Sequence, residues 1–314
     1  GALILYPDAK GVITDVATFI SKSKAAGVQV AVAADILSLV LLNSPGSLGA
    51  DVVFGSSQRF GVPMGYGGPH AAFFAAKEDY KRTMPGRIIG VSKDADDNLA
   101  LRMALQTREQ HIKRDKATSN ICTAQALLAV MASMYTVYHG PKGLREIALN
   151  VHSLAAKTAD GLKAMGIEIG SDNYFDTVWI KGVQASAIQS AAEEAKMNFH
   201  YLNDHELTIS FGEPHTLEDV QTILTIFAKV EGKAAPALTT ELHANLKGSF
   251  LRSDAILTHP TFNNFHSESK MMRYLKRLEI KDLSLVHSMI PLGSCTMKLN
   301  AASELMSITN PQFA

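Results

Sequence analysis

Four stretches of the 314-residue chain carry residues whose types and spacing could do chemistry. The densest runs from Ser56 to His70 and packs four glycines and two prolines into fifteen residues. Glycines let backbone come close to a ligand or to another backbone, and such loops on α/β sheets commonly hold a phosphate or a cofactor. A tight turn between two strands accounts for the composition equally well. Asp35 closes an apolar run 23 residues before Gln58. An acid there can pair with a protonated ring nitrogen of a cofactor, or cap a helix over residues 36–42; the cap is the simpler account. Residues 108–116 hold four permanent positive charges (Arg108, Lys113, Arg114, Lys116) against Glu109 and Asp115. That run suits a solvated helix face, and also an anion or a partner's acidic surface. The fourth stretch, residues 289–300, places Ser294, Cys295 and Thr296 after a Pro/Gly turn, with Lys298 near enough to lower the thiol pKa if the two meet.

Other signatures are missing. The sequence has no G-x-G-x-x-G after a strand, no P-loop, no H-E-x-x-H, no C-x-x-C and no G-x-S-x-G. His139, His200, His205 and His215 show no ligand spacing and read as ordinary histidines, with no metal site implied. Thirty Lys and Arg balance thirty Asp and Glu, so nothing draws the whole chain to nucleic acid or to an anionic membrane. Two cysteines exclude a disulfide scaffold and suit a reducing, cytoplasmic setting. No apolar run reaches the ~18 residues of a membrane span.

The elements that must position these residues follow from hydrophobic patterning. Apolar runs at 2–6, 28–34, 51–55 and 71–76 predict buried strands. An amphipathic stretch at 12–26, stopped by Gly27, predicts a helix, and residues 36–42 predict another. Strands alternating with helices imply βαβ units and a mostly parallel sheet. Residues 81–120 read as loops followed by a helix or extended arm, and 121–165 as two long helices hinged at His139-Gly140-Pro141. From Gly166 onward, short strands at 166–170, 177–181, 198–202 and 206–211 and helices at 185–196 and 216–230 predict a small α+β domain. Residues 231–239 have linker composition, and helical stretches are expected at 241–246 and 267–281. The strand already under way at Ala2 and the lack of a closing element after Asn310 read as the cut ends of a longer protein.

Four blocks resemble one family. They are residues 57–70 (Ser-Gln-Arg-Phe-Gly-Val-Pro-Met-Gly-Tyr-Gly-Gly-Pro-His), residues 85–94 (Pro-Gly-Arg-Ile-Ile-Gly-Val-Ser-Lys-Asp), the run from Gln106 to Gln125, and residues 291–300. In sequence and order they are similar to the P-protein of the glycine cleavage system, the decarboxylating glycine dehydrogenases. The resemblance implies an α/β fold of the pyridoxal-phosphate-dependent, aspartate-aminotransferase-like type (fold type I), in two tandem halves of which one holds the cofactor. Residues 1–125 then correspond to the end of the first half's large domain, 126–232 to its small α+β domain, and 233–314 to the linker and the start of the catalytic second half. The cofactor implied for the long enzyme is pyridoxal 5'-phosphate. The reaction implied is decarboxylation of glycine with transfer of the aminomethyl group to the lipoyl arm of the H-protein, in a homodimer or a two-subunit-type dimer.

The resemblance also bears on single residues. The family's catalytic lysine stands in a His-Lys-Thr-Phe-x-Ile-Pro run; matching Phe60, Pro63 and Gly67-Gly68-Pro69 to it puts Gln58 at the lysine, or Arg59 if a gap intervenes. Neither can form a Schiff base, which needs a primary amine. The chain alone is therefore expected to be inactive and to bind no cofactor. Asp35 falls near the acid that pairs with the pyridinium in the working half. Ser294, Cys295 and Thr296 are expected to line the second half's substrate and lipoyl entry. Two other readings remain: a different pyridoxal-phosphate enzyme using Lys93 or Lys298, and a non-catalytic structural or dimerisation subunit of the same system.

Overall fold

The structure is a computed structural model that describes residues 1–117, 125–281, 287 and 301–312. Strands β1 (Ala2–Tyr6), β2 (Val30–Ala34) and β3 (Val52–Ser56) pair in parallel, and β4 (Ala72–Ala76) closes the sheet antiparallel to β3, in the order β1-β2-β3-β4. Alternation along β2 buries Val30, Val32 and Ala34 on one face. Asp51 staples the strand starts: its carboxylate accepts the Val30 N–H at 2.8 Å and the Lys77 ammonium at 2.9 Å. Helix α1 (Val16–Ala25) begins where Asp15 accepts the Thr18 N–H at 3.0 Å, and it lays Val16 and Ile20 on the sheet.

The helix expected over residues 36–42 shrinks to one 3₁₀ turn at 38–40. Its N–H groups bond locally, Leu42 N–H to Ser38 O at 2.9 Å among them, but two of its carbonyls are taken by a distant residue: Leu41 O by the Arg252 N–H at 2.8 Å and Leu39 O by the Arg252 guanidinium at 2.6 Å. Residues 81–117 also depart from expectation. They contain an antiparallel hairpin, β5 (Ile88–Lys93) with β6 (Leu99–Ala104), whose connection is ordered by Asp94 accepting the Asp96 and Asn98 N–H groups. Short 3₁₀ turns and a four-residue helix, α2 (Gln110–Lys113), follow.

Helix α3 (Ala126–Ala164) bends at Gly140 (φ 62°, ψ −176°), just before Pro141, so it is two helices hinged at the expected place. Its second arm is buried along Ala148, Val151, Ala155, Ala159 and Leu162, because it packs against both the 38–40 turn and a second sheet. That sheet is antiparallel throughout, in the order β7 (Glu168–Ile169), β8 (Thr177–Lys181), β10 (Glu206–Ser210), β9 (His200–Asn203). Helices α4 (Ala185–Glu194) and α5 (Leu217–Glu231) cover it. A capping box between Thr216 and Asp219 starts α5, and Gly232 at φ 65° ends it.

Residues 236–246 form no helix, against expectation at 241–246. They run extended across α3 because polar groups on that helix hold them. The Lys157 ammonium donates to Thr239 O at 2.7 Å, His243 N–H to Ser153 Oγ at 2.9 Å, and Asn245 N–H to His152 Nε2 at 3.2 Å. Beyond lie α6 (Glu268–Ile280), as expected at 267–281, and the short α7 (Ala302–Leu305).

Candidate functional site

The carboxyl end of the parallel strands is where open α/β sheets place their sites, and there the chain brings together residues far apart in sequence. Asp35 follows β2, and one of its oxygens accepts the Ser38 N–H at 2.6 Å, ordering the turn that stands where a capped helix was expected. Its other oxygen accepts from Arg59 Nη1 at 3.2 Å. Arg59 stands in the loop after β3. The same Nη1 donates to Asp176, just ahead of β8 in the second sheet, and Nη2 donates to the Phe211 carbonyl at 3.2 Å, just past β10. The Phe175 ring lies 5.8 Å from the guanidinium carbon. Asp35 thus both holds the turn after β2 and forms one arm of a partly buried ion triad.

Burial pushes the Asp35 carboxyl above its ordinary range; Arg59 opposes the shift and the nearby Asp176 charge adds to it. Burial also works against the Arg59 charge, but the two carboxylates outweigh it and raise the guanidinium pKa further. Around the triad, Phe60 stacks on Tyr135 at 5.7 Å, Tyr135 meets His139 at 4.4 Å, and the Tyr135 hydroxyl donates to Glu213 at 2.7 Å. Burial, then Glu213, raises the Tyr135 phenol pKa. Gly61 at φ 77° lets this loop lie on Tyr135, since a Cβ there would sit 2.7 Å from the ring.

Of the residues singled out in the sequence, Asp35 and Arg59 meet. Gln58 does not join them: its backbone N–H donates to Ser56 Oγ and its carbonyl accepts from Val62. The glycine loop is an exposed turn in which Gly67 and Gly68 N–H bond back to Met64 O, with open space around Gly65 and Gly67. The basic run divides. Arg108 and Glu109 are buried, and the Arg108 fork holds the carbonyls of Lys81 and Gly86, while residues 110–116 are exposed. Lys93 is exposed on the hairpin and pairs with Asp97 at 3.0 Å. Ser294, Cys295, Thr296 and Lys298 lie outside the described residues. Asp176, Tyr135 and His152 escaped sequence reasoning. Nothing local marks Asp176, which the second sheet carries in from 117 residues away.

This arrangement does not fit pyridoxal phosphate. The acid that would face a pyridinium is already engaged by a guanidinium, and no lysine among the described residues bonds to Asp35 or Asp176. Among the described residues there is also no cluster of metal-ligating side chains, and no helix long and apolar enough to cross a membrane.

The sequence profile described as Glycine cleavage system P-protein matches residues 1–227. The chain is 55% identical over its whole length to glycine dehydrogenase (decarboxylating) of Flavobacterium johnsoniae and 53% identical to the mitochondrial one of Pisum sativum. It covers 33% and 30% of those proteins, so it spans about a third of the length of the curated relatives it matches. The crystal structure of an inhibitor-bound glycine decarboxylase (P-protein) of the glycine cleavage system superposes with a TM-score of 0.67 at 31% identity, over 73% of this chain and 54% of that one. A pyridoxamine-pyruvate aminotransferase from Mesorhizobium loti shares the fold alone, at 18% identity and a TM-score of 0.50 over 74% of this chain and 60% of its own. The fold is the α/β type of the pyridoxal-phosphate-dependent transferases, and the chain belongs to the glycine cleavage system P-protein family.

Proposed function

We propose that this chain is part of a longer decarboxylating glycine dehydrogenase and supplies its cofactor-free lobe together with the opening of the catalytic half. Residues 1–125 are the end of the first-half large domain, 126–232 its small domain, and 233–314 the linker and the first segment of the second half. The observation that carries this reading is the Arg59 guanidinium on Asp35, where a working half needs a free acid beside a lysine amine. The long enzyme would use pyridoxal 5'-phosphate as electron sink, take glycine as substrate, and pass the aminomethyl group to the lipoylated H-protein. Ser294, Cys295 and Thr296 would line that entry, with the Schiff-base lysine supplied from elsewhere in the long chain. A dimeric assembly belongs to the same proposal, as does a cytoplasmic setting, although the Pisum sativum relative is named as mitochondrial.

The test is direct. The purified chain is mixed with pyridoxal phosphate, treated with borohydride and mapped for modified lysines. No lysine should be labelled stoichiometrically, whereas the full-length protein should carry one labelled lysine outside residues 1–314. That protein should also release CO2 from carboxyl-labelled glycine only with lipoylated H-protein. One defined lysine labelled within this chain would overturn the assignment of the halves.

A further inference from the structure

We propose that the Arg59 side chain is a built-in cationic ligand, which fills the place a cofactor ring would take and ties the first sheet to the second. Three acceptors from separate parts of the chain converge on one guanidinium: Asp35 from the parallel sheet, and Asp176 and the Phe211 carbonyl from the antiparallel one. Both carboxylates have a second donor, Ser38 N–H at 2.6 Å on Asp35 and Thr177 Oγ1 at 2.9 Å on Asp176. Those bonds turn their other oxygens toward Arg59. A planar fork of five donors reaches divergent acceptors at once, which a lysine ammonium, a point charge on a flexible stem, does not. The two sheets are therefore held by a ligand the protein carries in its own chain. Taking the arginine away leaves two carboxylates and a carbonyl around a guanidinium-shaped space, and such a space selects a small planar cation.

The proposal rests on the reading of this lobe as cofactor-free, and its test keeps the two apart. In the full-length protein, Arg59→Gly and Arg59→Lys are unfolded by heat with millimolar methylguanidinium chloride or with sodium chloride at equal ionic strength. Arg59→Gly should lower the unfolding midpoint of the first half by about 5–10 °C, the effect of leaving two partly buried carboxylates without their shared cation. Methylguanidinium should restore at least half of that shift and sodium none. Arg59→Lys, which keeps the charge and loses the fork, should fall less and respond to neither salt. The clamp is overturned if methylguanidinium does no more than sodium chloride, or if Arg59→Gly unfolds at the wild-type midpoint. Should Arg59→Gly fail to fold, Arg59→Lys decides, and a wild-type midpoint for it overturns the clamp. Pyridoxal phosphate bound by the unsubstituted protein is counted separately. A second equivalent per chain would refute the cofactor-free reading without altering the rescue result.

Discussion

Lowering the pH should loosen the strap of residues 236–246 through one buried side chain, His152. The ring is fully buried in α3. Its Nδ1–H donates to the Phe175 carbonyl at 2.7 Å, and its Nε2 accepts the Asn245 N–H at 3.2 Å. Those two partners dictate the neutral tautomer. Burial lowers the His152 pKa, the Phe175 and Asn245 bonds oppose the shift, the His243 charge adds to it and Asp176 opposes it. A histidine depressed in the folded state adds stability while neutral and loses it as pH falls below its unfolded value of about 6.5. At pH 5.5 the unfolded chain binds the proton more readily than the folded one, a loss of at most about 1.4 kcal/mol. Protonation would also set a second N–H against that of Asn245. Urea unfolding at pH 7.5, 6.5 and 5.5 measures the slope. His152→Phe keeps the ring and removes the titration. It should cost about 2 kcal/mol at pH 7.5 for the groups left unpaired, and it should flatten the slope, by one proton at most. Burial also lowers the His139 pKa, with Glu213 opposing and His266 adding, so some slope must remain in the variant. An unchanged slope in His152→Phe would refute the reasoning, because the lost stability would then come from other groups.

Two further expectations concern the scaffold. Gly140→Ala should cost about 3 kcal/mol, because the hinge holds φ 62° and ψ −176° and a Cβ would lie 2.4 Å from His266 Cε1 and 2.6 Å from Phe262 O. Gly182→Ala, at φ 68° with open space around it, isolates the backbone share at about 1 kcal/mol; equal losses in urea unfolding would contradict the packing account. Strand β1 is an edge of its sheet and exposes Leu3 and Leu5, so this chain should associate in solution, and Leu3→Lys should reduce the association. A monodisperse monomer of the unsubstituted chain in light scattering would sink that expectation.

The strands and most of the helices were legible because burial imposes a period. Residues 2–6, 28–34, 51–55 and 71–76 alternate or run apolar, and β1 to β4 lie within them to a residue, but only the two central strands are buried as expected: β1 and β4 are the sheet's edges and leave Leu3, Leu5 and Phe74 exposed. The hinge was legible in Gly140-Pro141, since glycine frees the backbone and proline removes a helical hydrogen bond. Three segments resisted. The hairpin at 88–104 keeps much of its apolar surface exposed, so no burial pattern announced it. Residues 36–42 and 241–246 have helical composition, but distant groups take part of their backbone hydrogen bonding, Arg252 on the Leu39 and Leu41 carbonyls of the one, Ser153 and His152 on the His243 and Asn245 N–H groups of the other. Family and fold thus lay in local strings and in hydrophobic period, both one-dimensional properties. The site did not. Sequence put Gln58 at the lysine's place, or Arg59 if a gap intervened, and left Asp35 as a cap or a cofactor's acid. Only folding brought Asp176 and the Phe211 carbonyl across from the second sheet to claim the guanidinium, because a hydrogen bond depends on distance in space, not on separation along the chain.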